Sequence, residues 1–346
     1  MTQAPHAPQP SRKKALLSLL VLLALTGAIV FVFRDHWAEI LDALRRLSLP
    51  QALLLLALAL TTPLLDAAVT WVIARGRAPG FRYWQALDAI WTGTFCNVVT
   101  FGAGTLPMQT YYLHRCGLPA GQAVGTMTLE YAFHKTTVLL YATALLLAQR
   151  RWLTAASTGL LHYLPLAYLV VAVIVLALVL VCVSPAVQGL ARWALRLLPK
   201  TETWQARRAS WEQQLDILGV ESRHLLADKP RCLAVLALHA GKLFLLFLVP
   251  YLSIRFMGLP AGLTLWQAQL LAALTFFLSN AMPNVAGMGS VETAFLLVFG
   301  SFLGEAGAMS ALTLYRIATY YFTFALSAAG FWGMQRHMAK MAGKEL

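Results

Sequence analysis

Glu130, His134 and Lys135 fall within six positions of a segment that is otherwise apolar, and His239 and Lys242 stand three apart in another. Asp66, Glu292 and Arg316 complete a set of eight ionisable residues inside apolar runs. With the histidines neutral, three acids face three bases. Charges are costly in such segments, and they mark either a polar pathway or internal partners. At i, i+4, Glu130 and His134 share one face of a helix, and His239 and Lys242 do so at i, i+3. Lys135, Lys242 and Arg316 suit a phosphate, the arginine through its planar fork of donors. Glu130 and Glu292 would balance them or carry a proton. Asp66 precedes Ala67-Ala68 in a run containing Pro63, and reads as a helix-pairing or kink residue.

Enzyme signatures do not accompany these groups. HExxH, GxSxG and Walker A motifs are absent, and the histidines have no metal-ligand spacing. No cofactor or metal is expected, and no ATP use by the chain itself. The four cysteines, Cys96, Cys116, Cys182 and Cys232, form no CxxC and read as inert.

The elements that must position the charges are membrane helices. Of 346 residues, 59% are hydrophobic and 12% charged, and the mean hydropathy is +0.66. Soluble domains carry about 45–50% apolar and about 25% charged residues. An ordinary soluble enzyme, a disordered chain and a coiled coil are excluded. Long apolar runs cover 15–33, 51–74, 119–148, 162–183, 232–254 and 308–333. The first exceeds the apolar stretch of a signal peptide and reads as a retained helix. Two shorter runs, 84–101 and 265–281, end in breaker clusters. The first cluster holds Gly102 and Gly104, with Asn97 before it and Gln109 after. The second holds Asn280, Pro283, Asn284, Gly287 and Gly289, with Glu292 after. Backbone freed by Gly and Pro survives at membrane depth only where protein or water covers it. Both segments therefore read as re-entrant or broken hairpins. The helix N-termini after the breaks would offer N–H donors to an anion.

The two segments also resemble each other. Trp84-Gln85-Ala86 opens one and Trp266-Gln267-Ala268 the other; an asparagine, a Gly-x-Gly and a long helix follow in the same order. The repeat halves are about 84–148 and 266–333. With the N-terminus cytoplasmic, eighteen Lys/Arg lie inside and six outside, as the positive-inside rule requires. The expectation is an all-α polytopic membrane protein with six full spans and two hairpins in an inverted-topology repeat. Many secondary transporters share this plan, with the site where broken helices meet. Residues 1–14 read as a disordered cytoplasmic N-terminus, 15–333 as the transmembrane domain and 334–346 as a cytoplasmic tail. The linker 184–231 holds eight basic and five acidic residues, and its Trp193, Leu197, Trp204, Trp211, Leu215 and Leu218 suggest amphipathic helices on the inner leaflet. Segment 35–47 reads similarly on the other side. The net charge of +13 has its cause in the positive-inside surplus facing anionic lipid, so nucleic acid is not a partner.

Three features together resemble the flippase-like transmembrane domain of lysylphosphatidylglycerol synthases. They are Asn97…Gly102-Ala103-Gly104, Leu129-Glu130 in the long helix, and Pro283…Gly287-Met288-Gly289…Glu292. The last is similar to the family's P-x-x-x-G-G-x-G-x-x-E type segment. Two departures stand out. Tyr131, His134 and Lys135 follow Glu130 where family members tend to have an acidic–Arg pair, and Gln109 and Thr110 stand where acidic and Arg residues are usual. With the chain ending at Leu346, the resemblance implies translocation of a lipid without its synthesis, in a bacterial inner membrane. The implied partners are membrane lipids, anionic phospholipid foremost, and envelope-lipid biosynthesis proteins; a homo-oligomer is compatible. Polyprenyl-phosphate and hopanoid-type lipids stay open. So do three other functions: a small-solute or ion transporter, a non-transporting partner of a biosynthetic complex, and an intramembrane enzyme using His134 or His239.

Overall fold

The computed structural model describes residues 45–76, 78–100, 102–156, 160–196, 202–259, 262–281 and 289–342, and these are helical wherever they form regular structure. The apolar run at 15–33 and most of segment 35–47 lie outside them.

The first described helix, α1 (Leu49–Ala74), is apolar around its circumference, as a span should be. Ser48 starts it: its N–H donates to Gln51 Oε1 at 3.0 Å, and a proline occupies the first turn, where a missing N–H costs nothing. Next comes α2 (Tyr83–Val99), whose 17 residues reach only about 26 Å. That is short of a hydrocarbon core of about 30 Å. It ends where Gly102 takes φ 98°, a conformation that glycine adopts without a Cβ penalty. The chain turns back as α3 (Thr105–Arg115), which packs on α2. Tyr112 donates its hydroxyl to Asp88 at 2.9 Å and pins the hairpin.

The 37-residue α4 (Ala120–Ala156) is the central element. It packs on six helices: α1, α3, α5 (Leu160–Val183), α7 (Glu202–Ala227), α8 (Lys229–Phe256) and α9 (Leu265–Ala281). Between α5 and α7 lies α6 (Pro185–Arg196), bent by 97° from the end of α5. The bend occurs at Ser184-Pro185, and the buried Gln188 secures it by donating to Val181 O at 2.9 Å. Leu190 and Trp193 on α6 and Trp211 on α7 remain exposed, matching the amphipathic reading of the linker; Leu218 is buried instead.

The second short helix, α9, has 17 residues like α2. The two start alike. Gln85 Oε1 accepts the N–H of Arg82 at 2.8 Å, and Gln267 Oε1 accepts that of Thr264 at 2.9 Å. The two Trp-Gln-Ala segments thus each carry a glutamine that caps the start of its helix at an equivalent place. After the second break, α10 (Ser290–Arg316) kinks at Gly304, where φ is 70°. It passes into a π-helical turn, Ile317–Phe322, and then α11 (Thr323–Ala342). That last helix continues past the expected boundary at 333, because residues 334–341 contain neither Gly nor Pro.

Among the described residues, three continuous runs are long and apolar enough to cross a membrane: Leu49–Ala74, Lys229–Phe256 and Ser290–Met334. The bent pair Tyr168–Val183 and Pro185–Arg196 makes a fourth if it is one span. Aromatic side chains such as Phe247, Phe277, Phe295 and Phe299 fill the largest apolar core between α4, α8, α9 and α10. A polar tie runs through it: Tyr141 donates to Gln269 Oε1 at 2.9 Å, and Gln269 donates to Phe244 O at 3.0 Å. This fixes α4, α9 and α8 relative to one another, and with them the charged residues they carry.

Candidate functional site

Two adjoining cavities of about 510 and 560 Å³ open among α1, α2, α4, α8, α9, α10 and the π turn. Asn97 and Tyr131 line both, so these two residues stand between the cavities as a shared wall.

The first chamber carries Lys135, Asn280, Arg316 and the hydroxyl-bearing Tyr315, Thr319 and Tyr320. Lys135 donates to Asn280 Oδ1, and its ammonium lies 5.2 Å from the Tyr131 ring centroid. Asn280 is oriented by its own donation to Phe276 O at 2.7 Å. Arg316 pairs with Glu292 at 2.5 Å and lies over the Tyr320 ring at 5.2 Å. Glu292 also accepts the Gly289 N–H at 2.7 Å, capping α10. The Gly289 N–H at the start of α10 is thus met by that helix's own carboxylate.

The second chamber is lined by Asp66, Glu130, His134, Lys242, Asn97, Gln109 and the break at Gly102-Ala103. Lys242 donates to Asp66 at 2.5 Å and stands 3.2 Å from His134 Nδ1. An ammonium has only donors, so that histidine nitrogen accepts. Thr70 donates to Glu130 Oε2 at 2.8 Å, and among the described residues no cation pairs with Glu130. Asn97 Oδ1 accepts from Thr105 Oγ1 at 3.0 Å, which secures the start of α3. Gly104 precedes α3, and its N–H donates to Thr100 Oγ1 at 2.5 Å.

Most of the residues singled out in the sequence meet here. Four do not line either chamber: Gly104, His239, Gly289 and Glu292. His239 is fully buried beside His134, with ring centroids 5.5 Å apart, and its nitrogens have no hydrogen-bond partner among the described residues. Glu292 acts through Arg316 and Gly289 rather than by lining a cavity. Lys242 pairs with Asp66 in the second chamber, while Lys135 and Arg316 line the first. Asp66 is both a pairing residue between α1 and α8 and part of the polar wall. Pro283, Asn284 and Gly287 lie outside the described residues. Sequence reasoning missed Thr70, Tyr131, Tyr315, Tyr320 and Asp88. Tyr and Thr are ordinary in apolar helices and carry no spacing signal of their own.

Apolar helices packed around a cleft of paired and unpaired charges define a helical, membrane-embedded protein with a polar interior. Residues 16–327 match the family described as the lysylphosphatidylglycerol synthase TM region. The chain belongs to that family. No curated protein matches it.

Proposed function

We propose that the protein is a lipid translocase of a bacterial inner membrane, carrying a phosphate-bearing head group through the two chambers while the acyl chains stay in the bilayer. The observation that carries this reading is the adjacency of the two chambers, which share Asn97 and Tyr131 in their walls, with Lys135 and Arg316 lining one of them. Lys135 has a neutral amide as its hydrogen-bond partner, so its charge is available to an anion. A polar route bounded by apolar helices fits a molecule with one polar end. Six spans and two inverted hairpins, with both termini cytoplasmic, suit such a route. The equal lengths and matching glutamine caps at the starts of α2 and α9 support a repeat. In this reading the chain performs no covalent chemistry. Its partners are anionic phospholipid and, on the inner face, proteins that make envelope lipids.

The test is translocation of labelled anionic, zwitterionic and polyprenyl lipids in sealed proteoliposomes. Wild type moves at least one phosphate-bearing lipid, and Lys135→Met and Arg316→Ala lose that movement while remaining folded. Translocation unchanged in both variants would remove the proposed site, and none by folded wild type would remove the function.

A further inference from the structure

The charges around the chambers leave two residues over. Asp66 closes on Lys242 and Glu292 closes on Arg316, each at 2.5 Å. Glu130 and Lys135 remain, five positions apart on α4 and thus about 7.5 Å apart along its axis. Each faces a different chamber, and the chambers share Asn97 and Tyr131 in their walls. The two charges offset each other, so the six ionisable groups sum to zero. A phosphate monoanion beside Lys135 would leave the cluster one negative charge in excess, within a medium that penalises it.

We propose that Glu130 takes up one proton when an anionic head group occupies the Lys135 chamber, so that lipid and proton are carried together. This rests on the translocase reading above. The proton comes from water on the loading side, binds a Glu130 carboxylate oxygen, and leaves with the lipid on the other side. The cluster is then neutral both empty and loaded. The neighbour of Glu130 suits both states: the fully buried Thr70 hydroxyl donates to a carboxylate and accepts from a carboxylic acid.

No other group facing Glu130 is as well placed. On α1, Asp66 is held by Lys242. On α8, Lys242 is held by Asp66 and His134, and His239 lies behind His134, away from the chamber wall. On α4 itself, His134 Nδ1 is engaged by Lys242 and Lys135 serves the other chamber. On α3 and α9, the polar groups nearby are the neutral Gln109 and Asn280. On α7, Glu221 packs beside Gly125, more than a turn before Glu130.

Calorimetry of the full-length purified protein with short-chain phosphatidylglycerol, in two buffers of different ionisation enthalpy, tests this directly. The expected result is about one proton taken up per lipid bound, and an affinity that tightens up to about tenfold per unit fall in pH. Glu130→Gln binds without proton uptake and with a flat pH profile, while Glu130→Asp keeps the uptake. Binding by wild type with no proton uptake, or equal uptake in Glu130→Gln, overturns the inference and leaves the translocase reading standing. No binding of any phosphate-bearing lipid by folded wild type overturns both. Should Glu130→Gln misfold, absence of uptake by wild type still overturns the inference, and Glu130→Asp with the same uptake as wild type supports it.

Discussion

The two chambers are built from the same materials and closed in opposite ways. In the Asp66 chamber the cation is locked: Lys242 is shared between Asp66 and His134, and the carboxylate of Glu130 is left with a hydroxyl partner. In the Arg316 chamber the acid is locked: Glu292 is shared between Arg316 and the Gly289 N–H, and the ammonium of Lys135 is left with an amide partner. One closed pair joins two helices, α1 to α8, and the other joins the start of the kinked α10 to its end. The open charges both sit on α4. Structural and ligand-facing electrostatics are thus separated residue by residue within one cluster.

This contrast can be broken by exchanging the roles. The largest effect is expected from the closed pair of the Asp66 chamber. Lys242→Met leaves a mostly buried Asp66 without its cation and should cost about 3 kcal/mol or more, seen as a lower thermal midpoint in detergent. Adding Asp66→Leu should restore most of that stability, since a buried pair is readily replaced by apolar groups. If the double variant is less stable than Lys242→Met alone, Asp66 is held by more than its lysine.

Lys135→Met should behave in the opposite way. It loses one neutral hydrogen bond, about 1 kcal/mol, but abolishes lipid movement. A stability loss as large as that of Lys242→Met would erase the distinction between closed and open charges. A smaller effect is expected at the wall of the first hairpin. A Cβ at Gly93 would come within 2.4–2.5 Å of the Gln109 side chain, so Gly93→Ala must push that side chain aside. The expected cost is about 1–2 kcal/mol, with slower translocation because Gln109 lines the Asp66 chamber. Thr70→Ala should be mildest for stability, about 1 kcal/mol, and should shift the pH dependence of lipid binding while leaving its maximum affinity nearly unchanged.

Much of this was legible in the sequence, for physical reasons. Breaks at Gly102 and Gly289 announce themselves, because a short apolar run ending in glycines has few other conformations. The paired Trp-Gln-Ala segments are visible in the sequence, and Gln85 and Gln267 explain part of the likeness by capping the starts of their helices in the same way. The membrane character follows from composition alone. Pairing was not legible: Asp66 and Lys242 are 176 positions apart, and nothing local to either says that one holds the other. Hence the sequence groups Lys242 with Lys135 and Arg316 without showing that Asp66 is its partner. The π turn at Ile317–Phe322 also left no trace, since IATYYF has neither Gly nor Pro, yet it presents Thr319 and Tyr320 to the cavity. Gly300, Gly304 and Gly307 are alike in sequence, and Gly304 alone among them has positive φ.

The claim on which the rest depends is that the two chambers form one path through Asn97. It can be tested with a variant in which the four native cysteines are replaced by serine and Asn97→Cys is introduced, then modified with a bulky thiol reagent. Thr154→Cys, on an exposed part of α4, serves as the control. Modification at position 97 should stop lipid translocation in proteoliposomes, and modification at 154 should not. Translocation that continues at full rate with position 97 fully modified would contradict a path through the chambers.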